Sequence, residues 1–142
     1  MSEDVTVTRV IDAPCEAVFD AFTAWDGQKA FYGEPGWIVQ SQCDLHVGGL
    51  WTVTFGPSRD ELHRHDHFFR VIDRPGRLVL DTTESRADGS SLEFETEFIF
   101  EERDGKTLMT MIQRGVPTAE LREEHRVGLP NAFARLEQAI EK

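Results

Sequence analysis

From Val5 to Asp12 the side chains alternate, with Val5, Val7, Arg9 and Ile11 set against Thr6, Thr8, Val10 and Asp12. A β-branched stretch of period two predicts a half-buried strand. Ala13-Pro14-Cys15-Glu16 then carries the marks of a helix start: proline at the first helical position and glutamate in the first turn, near the positive end of the helix dipole. Val18, Phe19 and Phe22 give this helix one apolar side. Gly27 and Gly33 punctuate a second short helical stretch that carries Trp25, Phe31 and Tyr32. From Trp37 to Gln113 the period returns to two. Turn signals at Gly48-Gly49, Gly56-Pro57-Ser58, Asp73-Arg74-Pro75-Gly76, Ala87-Asp88-Gly89 and Asp104-Gly105 divide this stretch into six antiparallel strands.

The clearest strand places Leu92, Phe94, Thr96, Phe98 and Phe100 on one face. Glu93, Glu95, Glu97 and Glu101 fall on the other, with Ile99 as an exception, so one face is predicted to be core and the other wet. These glutamates are expected to act as solubility charges. Pro117-Thr118 opens a last helix, predicted from about Thr118 to Glu141, with Leu121, His125, Leu129, Phe133, Leu136 and Ile140 on one stripe. That stripe is expected to cover the sheet. Gly128 and Pro130 predict a bend near its middle. The pattern is that of one α+β domain over residues 1–142: a curved antiparallel sheet of about seven strands, two short helices after strand one, and a long C-terminal helix across the sheet.

Composition narrows the choice of partners. The chain has 142 residues and is 39% apolar with 10 Phe and 3 Trp, enough to fill a single core. Its net charge of −11, from 26 acidic against 15 basic residues without a Lys/Arg cluster, argues against nucleic acid and against anionic membrane surfaces. No apolar run approaches the roughly 20 residues of a spanning helix. The acidic start Met1-Ser2-Glu3-Asp4 lacks a signal-peptide pattern, so a cytoplasmic location is expected. Cys15 and Cys43 lack any Cys-x-x-Cys spacing and are read as packed thiols. The Gly-x-Ser-x-Gly elbow, the phosphate-binding loop, the His-Glu-x-x-His helix and the Rossmann glycines are all missing. No cofactor is expected and catalysis is not assumed.

The order strand, two short helices, six strands and long helix resembles the helix-grip fold of the START-related, or SRPBCC, superfamily. Local motifs sharpen this. Asp12-Ala13-Pro14 with Glu16-x-Val18-Phe19, then Asp44-Leu45-x-Val47-Gly48-Gly49-x-Trp51, then Arg77-Leu78-Val79 after a Pro-Gly turn, resemble the activator of heat-shock-protein-90 ATPase homologue-like family. Gly115-Val116-Pro117 before a helix with His125-Arg126-x-Gly128 extends the likeness, which runs from Val5 to Ile140. Where that family often has two adjacent tryptophans after helix one, this chain has Phe31-Tyr32. The resemblance implies a cavity beneath the last helix, where superfamily relatives bind lipids, hormones or polyketides.

Residues expected to point between sheet and helix are Phe31, Tyr32, Trp51, Val53, Phe55, Phe94, Phe98, Met109, Met111 and Gln113, met from the helix by His125, Leu129 and Phe133. Ordinary core packing accounts for most of them equally well. Gln113, Thr96 and His125 are more telling, because a buried polar group without a partner costs about 1–3 kcal/mol. For His125 the ordinary reading is a core histidine bonded to the sheet. His63, His65 and His67 share one strand face with neighbours about 6.6 Å apart, a spacing at which two could share a metal. The polar turn just before them makes a solvated strand end the default instead. Three functions follow from this reading. The first is a protein, monomeric or homodimeric, that binds a small apolar or amphipathic molecule without catalysis. The second is an enzyme of the polyketide cyclase or aromatase type using the same cavity. The third is a co-chaperone-like module that docks through its surface.

Overall fold

The computed structural model describes residues 4–140; Met1, Ser2 and Glu3 of the acidic start, and Glu141 at the expected end of the last helix, lie outside them. The elements are β1 (Val5–Ile11), α1 (Cys15–Phe22), α2 (Trp25–Tyr32), β2 (Ile38–Cys43), β3 (Leu50–Gly56), β4 (His63–Asp73), β5 (Arg77–Ser85), β6 (Ser91–Arg103), β7 (Lys106–Arg114) and α3 (Ala119–Ile140). The strands form one antiparallel seven-stranded sheet in the order β1-β7-β6-β5-β4-β3-β2. This is the α+β helix-grip architecture that the pattern predicts. The hairpin turn between β6 and β7 shows why the punctuation is local: Asp104 (φ 53°) and Gly105 (φ 81°) both occupy the left-handed region, as the tightest hairpin requires.

Pro14 stands just outside α1 as its extended cap residue (φ −69°, ψ 157°) rather than as the first helical residue, a shift of one position. Thr118 caps α3 as its position suggests, accepting the Leu121 N–H at 3.1 Å. α3 continues through Pro130 to Ile140 without a break. Its stripe does not cover the sheet along its whole length. Ala132, Phe133 and Leu136 in the second half are buried, whereas Leu121, His125 and Leu129 in the first half are only half-buried. The second half packs on a cluster of rings: Phe133 meets Phe31 at 5.5 Å between centroids, and Phe22 meets Phe98 at 4.7 Å and Trp51 at 5.5 Å. An ion pair from Arg9 to Glu137 at 2.7 Å ties β1 to the same half. The first half is thereby held above the sheet with space beneath it.

Two helices must turn sharply between β1 and β2 to form this cluster, and Gly27 is what lets α2 approach α1. A Cβ there would lie 1.9 Å from the Ala21 carbonyl oxygen and 2.5 Å from its carbon, both backbone atoms that cannot swing away. Gly27→Ala is therefore expected to destabilise by about 2 kcal/mol or more through overpacking. A urea midpoint unchanged from the parent would contradict this account of the α1–α2 junction.

On the outer face, Glu93, Glu95 and Glu101 are partly or fully exposed, but Glu97 is only 6% exposed. It is not a solvated charge. Burial would raise its carboxyl, and hydrogen bonds from Arg77 and Arg114 (2.8 Å to the latter) overcome that and hold it below the ordinary range. Alternation correctly separates the faces, but it does not report that two arginines cover one of them.

Candidate functional site

The space under the first half of α3 is a cavity of about 320 Å³ open to solvent, at the lower end of the range for small-molecule sites. One wall is apolar, made of Phe31 and Tyr32 at the end of α2, Trp37, Phe55 of β3 and Leu129 of α3. The rest of the lining is polar, with His63 and His65 of β4, Glu84 of β5, Gln113 of β7 and His125 of α3. Thus Phe31, Tyr32, Phe55, Gln113, His125 and Leu129 border the cavity. Trp51, Val53, Phe94, Phe98, Met109, Met111 and Phe133, also expected there, are buried in the filled core beside it, because α1, α2 and the second half of α3 press on that part of the sheet.

The three β4 histidines are not a solvated strand end. β4 pairs antiparallel with β3 so that His63, His65 and His67 stand opposite Phe55, Val53 and Trp51, which puts all three on the concave face. His67 is 1% exposed. Glu84 belongs to the same face because it continues the inward series Leu78, Leu80, Thr82 of β5.

These groups form one hydrogen-bonded chain whose direction follows from its end. The Glu84 carboxylate can only accept, so His65 Nε2 donates to Oε1 at 3.0 Å, His125 Nε2 donates to the same oxygen at 3.2 Å, and Arg86 Nη1 donates to Oε2 at 2.6 Å. With one proton per ring, His65 Nδ1 then accepts the Tyr32 O–H at 3.1 Å. The Tyr32 oxygen accepts His67 Nε2–H at 2.7 Å, and His67 Nδ1 accepts the Thr82 O–H at 2.8 Å. Thr82 in turn accepts from Thr96 at 2.8 Å. Every proton in the chain points toward Glu84, and none is left without an acceptor. His125 completes the floor through Nδ1, which lies 2.7 Å from the Gln113 side-chain amide. Its one proton is on Nε2, so Nδ1 accepts there, from the amide N–H with the Gln113 amide turned to face the ring.

The ionisation states agree with this wiring. Burial, reinforced by the neighbouring His65, holds His67 well below the ordinary histidine value. Burial, with the Glu84 charge added, pushes the Tyr32 phenol far up, so it stays protonated. Burial acts to raise Glu84 as well, but the hydrogen bonds from His125 and His65 outweigh it and keep the carboxyl far below its usual range. The chemical consequence is that both nitrogens of His65, His67 and His125, and both oxygens of Glu84, are already committed to protein partners. Apart from His63, the floor is polar but internally satisfied. It can orient a ligand, and it presents no spare base.

Among the described residues, no three His, Cys, Asp or Glu side chains form a group that could hold a metal ion. Cys15 and Cys43 are half-buried and pack against the core, where burial raises the Cys43 thiol. No helix among the described residues is long and apolar enough to cross a membrane. On the outer face Leu50 and Phe68 stand opposite each other, about half exposed at 49% and 46%, and Leu45, Val47 and Trp25 are exposed as well.

Sequence reasoning placed His63, His65 and His67 in solvent and gave Glu84 and Arg86 no role. The signal for the histidines was the apolar face of β3 across the hairpin, and for Glu84 it was the alternation Leu78, Leu80, Thr82, Glu84.

Comparison with known proteins places the chain. It is similar in structure to protein CV1439 from Chromobacterium violaceum, with a TM-score of 0.84 and 19% identity over 99% of each chain. Protein Ms6760 from Mycobacterium smegmatis is similar with a TM-score of 0.77 and 17% identity, over 97% of this chain and 88% of that one. DynU16, a protein of the dynemicin biosynthetic locus, matches with a TM-score of 0.78 and 17% identity; the match takes in 100% of this chain and 48% of DynU16. A comparison with curated proteins found no match. The family model for the Activator of Hsp90 ATPase homolog 1-like proteins matches residues 12–141, and the chain belongs to that family.

Proposed function

We propose that the protein binds a small amphipathic molecule in the cavity between α3 and the sheet, its apolar part against Phe31, Trp37, Phe55 and Leu129 and its polar end toward the histidine floor. The observation that carries this reading is an open cavity with one aromatic wall and one hydrogen-bonded polar floor, supported from behind by the Tyr32–His67–Thr82–Thr96 chain. Burying that many polar groups gives little net stability, so their arrangement under a cavity supports a site role. An open cavity also ranks this reading above docking through the outer face.

The convergence of His65 and His125 on one carboxylate favours a second reading: acid–base catalysis of the polyketide cyclase or aromatase type. DynU16, similar in fold, comes from a biosynthetic locus, which suits that reading. It requires ligand entry to release a nitrogen, most directly His125 Nδ1 from Gln113.

Thermal-shift screening against lipids and aromatic polyketides tests both. A ligand present at a hundred times its dissociation constant is expected to stabilise the protein by about 2.7 kcal/mol. Leu129→Trp, which fills the cavity from its α3 side, is expected to abolish the shift while the variant remains folded. No stabilisation by any member of a broad library would sink the binding reading, and product formation by a binder would move the assignment to catalysis.

A further inference from the structure

Resting on the cavity reading, we infer that the ligand is an organic anion, an aromatic or similarly flat apolar body carrying a carboxylate, and that Arg135 is the residue that receives its charge. Two arginines border the cavity, Arg86 and Arg135. Arg86 is already paired: it lies between Glu84 at 2.6 Å and Glu124 at 2.6 Å. Arg135 is not. It is half-buried, and its Nε and Nη2 donate to the Ala30 and Phe31 carbonyl oxygens at 2.8 and 2.9 Å. Among the described residues it has no ion pair, and the acidic group acting on its charge is the exposed Glu34.

The contacts to Ala30 and Phe31 have a structural purpose of their own. They satisfy carbonyls in the last turn of α2, where a helix leaves acceptors open and its dipole is negative. Those contacts use one edge of the guanidinium. Nη1 remains uncommitted on a side chain that borders the cavity, and a planar fork with a free edge suits a carboxylate. A partly desolvated cation with no direct ion pair, on which only the exposed Glu34 acts, is an unfinished pair, and a ligand anion completes it.

His63 adds a second donor. The Ala87 N–H donates to its Nδ1 at 3.1 Å, so in the one-proton ring the hydrogen sits on Nε2, which has no partner among the described residues. The uncommitted nitrogen atoms that this cavity offers from Arg135 and His63 are thus donors, and they call for an acceptor on the ligand. The aromatic body follows from Phe31, Tyr32, Trp37 and Phe55 in the same lining.

The chain's net charge of −11 and the exposed rim residues Glu34 and Glu124 oppose an approaching anion. That opposition is long-range and largely screened beyond about 8 Å at physiological salt, whereas contact with a partly buried guanidinium is short-range and desolvated. The short-range term decides occupancy, and the long-range one slows entry.

Three probes of one shape separate these effects: naphthoate, its neutral amide naphthamide, and the cationic naphthylmethylamine, each titrated into the full chain by calorimetry. Naphthoate is expected to bind about tenfold tighter than naphthamide, as for a charge-assisted contact, with the amine weakest. Arg135→Gln is expected to bring naphthoate and naphthamide to within about twofold of each other, and Arg135→Lys to retain part of the preference. The lysine variant also serves if the glutamine variant does not fold. Equal binding of naphthoate and naphthamide, tighter binding of the amine, or equal weakening of all three probes in both variants would overturn the anion inference and leave the cavity reading standing. If no probe binds the parent protein, the cavity reading fails and this inference fails with it.

Discussion

Glu84→Leu will destabilise the protein by about 3 kcal/mol, measured by urea unfolding near neutral pH, and will remove an acid limb from its stability profile. Removing one partner of a buried, hydrogen-bonded ion pair costs about 3–5 kcal/mol because the remaining groups keep their desolvation penalty. The lower figure applies because Arg86 retains Glu124, whereas His65 and His125 each lose the acceptor for Nε2. The pH dependence follows from the sign of the Glu84 shift. Its folded carboxyl is held far below the ordinary 4.5, so below that pH the unfolded chain binds a proton that the folded chain refuses. The stabilisation is therefore complete above 4.5 and is lost progressively as the pH falls below it, with a slope of up to about 1.4 kcal/mol per pH unit from this group. In Glu84→Leu that component of the slope should vanish. An unchanged acid limb would mean that Glu84 is not the coupled carboxylate the geometry describes.

Phe133→Ala should cost about 3–5 kcal/mol, the range for truncating a fully buried phenylalanine. Phe133 is 0% exposed and meets Phe31, itself a wall of the cavity, at 5.5 Å. The truncation removes the contact by which the second half of α3 grips the ring cluster, and it opens space beside the existing cavity. The expected result is a lower urea midpoint with an unchanged slope, together with a gain in affinity for ligands bulkier than those the parent accepts. A loss below about 1 kcal/mol would show that the site collapses around the missing ring, and α3 would then be held mainly by the Arg9–Glu137 pair and the Arg135 contacts.

These two residues differ in how far they could be read in advance. Phe133 sits on a regular apolar stripe, and its burial follows from helical spacing. Glu84 is a carboxylate at an inward position, where the expected residue is apolar, and its place depends on partners from β4, α3 and the β5–β6 turn. The same contrast holds along β4. In His63-Arg64-His65-Asp66-His67 both faces of the strand are polar, so period two gives no inward side. Pairing with Trp51, Val53 and Phe55 supplies it. Glu97 repeats the lesson on the outer face, where Arg77 and Arg114 turn an alternating glutamate into a buried one.

The order of elements, the antiparallel sheet, the apolar face of β6, the capping of α3 by Thr118 and the family were all present in the chain itself. They rest on short-range physics: side-chain period, turn conformations that need glycine or asparagine-like backbones, and helix ends that need caps. Tertiary structure decided the site. The first half of α3 stands off the sheet because Phe133 and Leu136 in its second half, not Leu121 and Leu129, find the ring cluster. The histidines became a floor because β3 lies across from them. Arg135 kept a free edge because the carboxylates that pair with Arg86 do not reach it. Each of these outcomes depends on which distant groups meet and on which charges remain unpaired after they do.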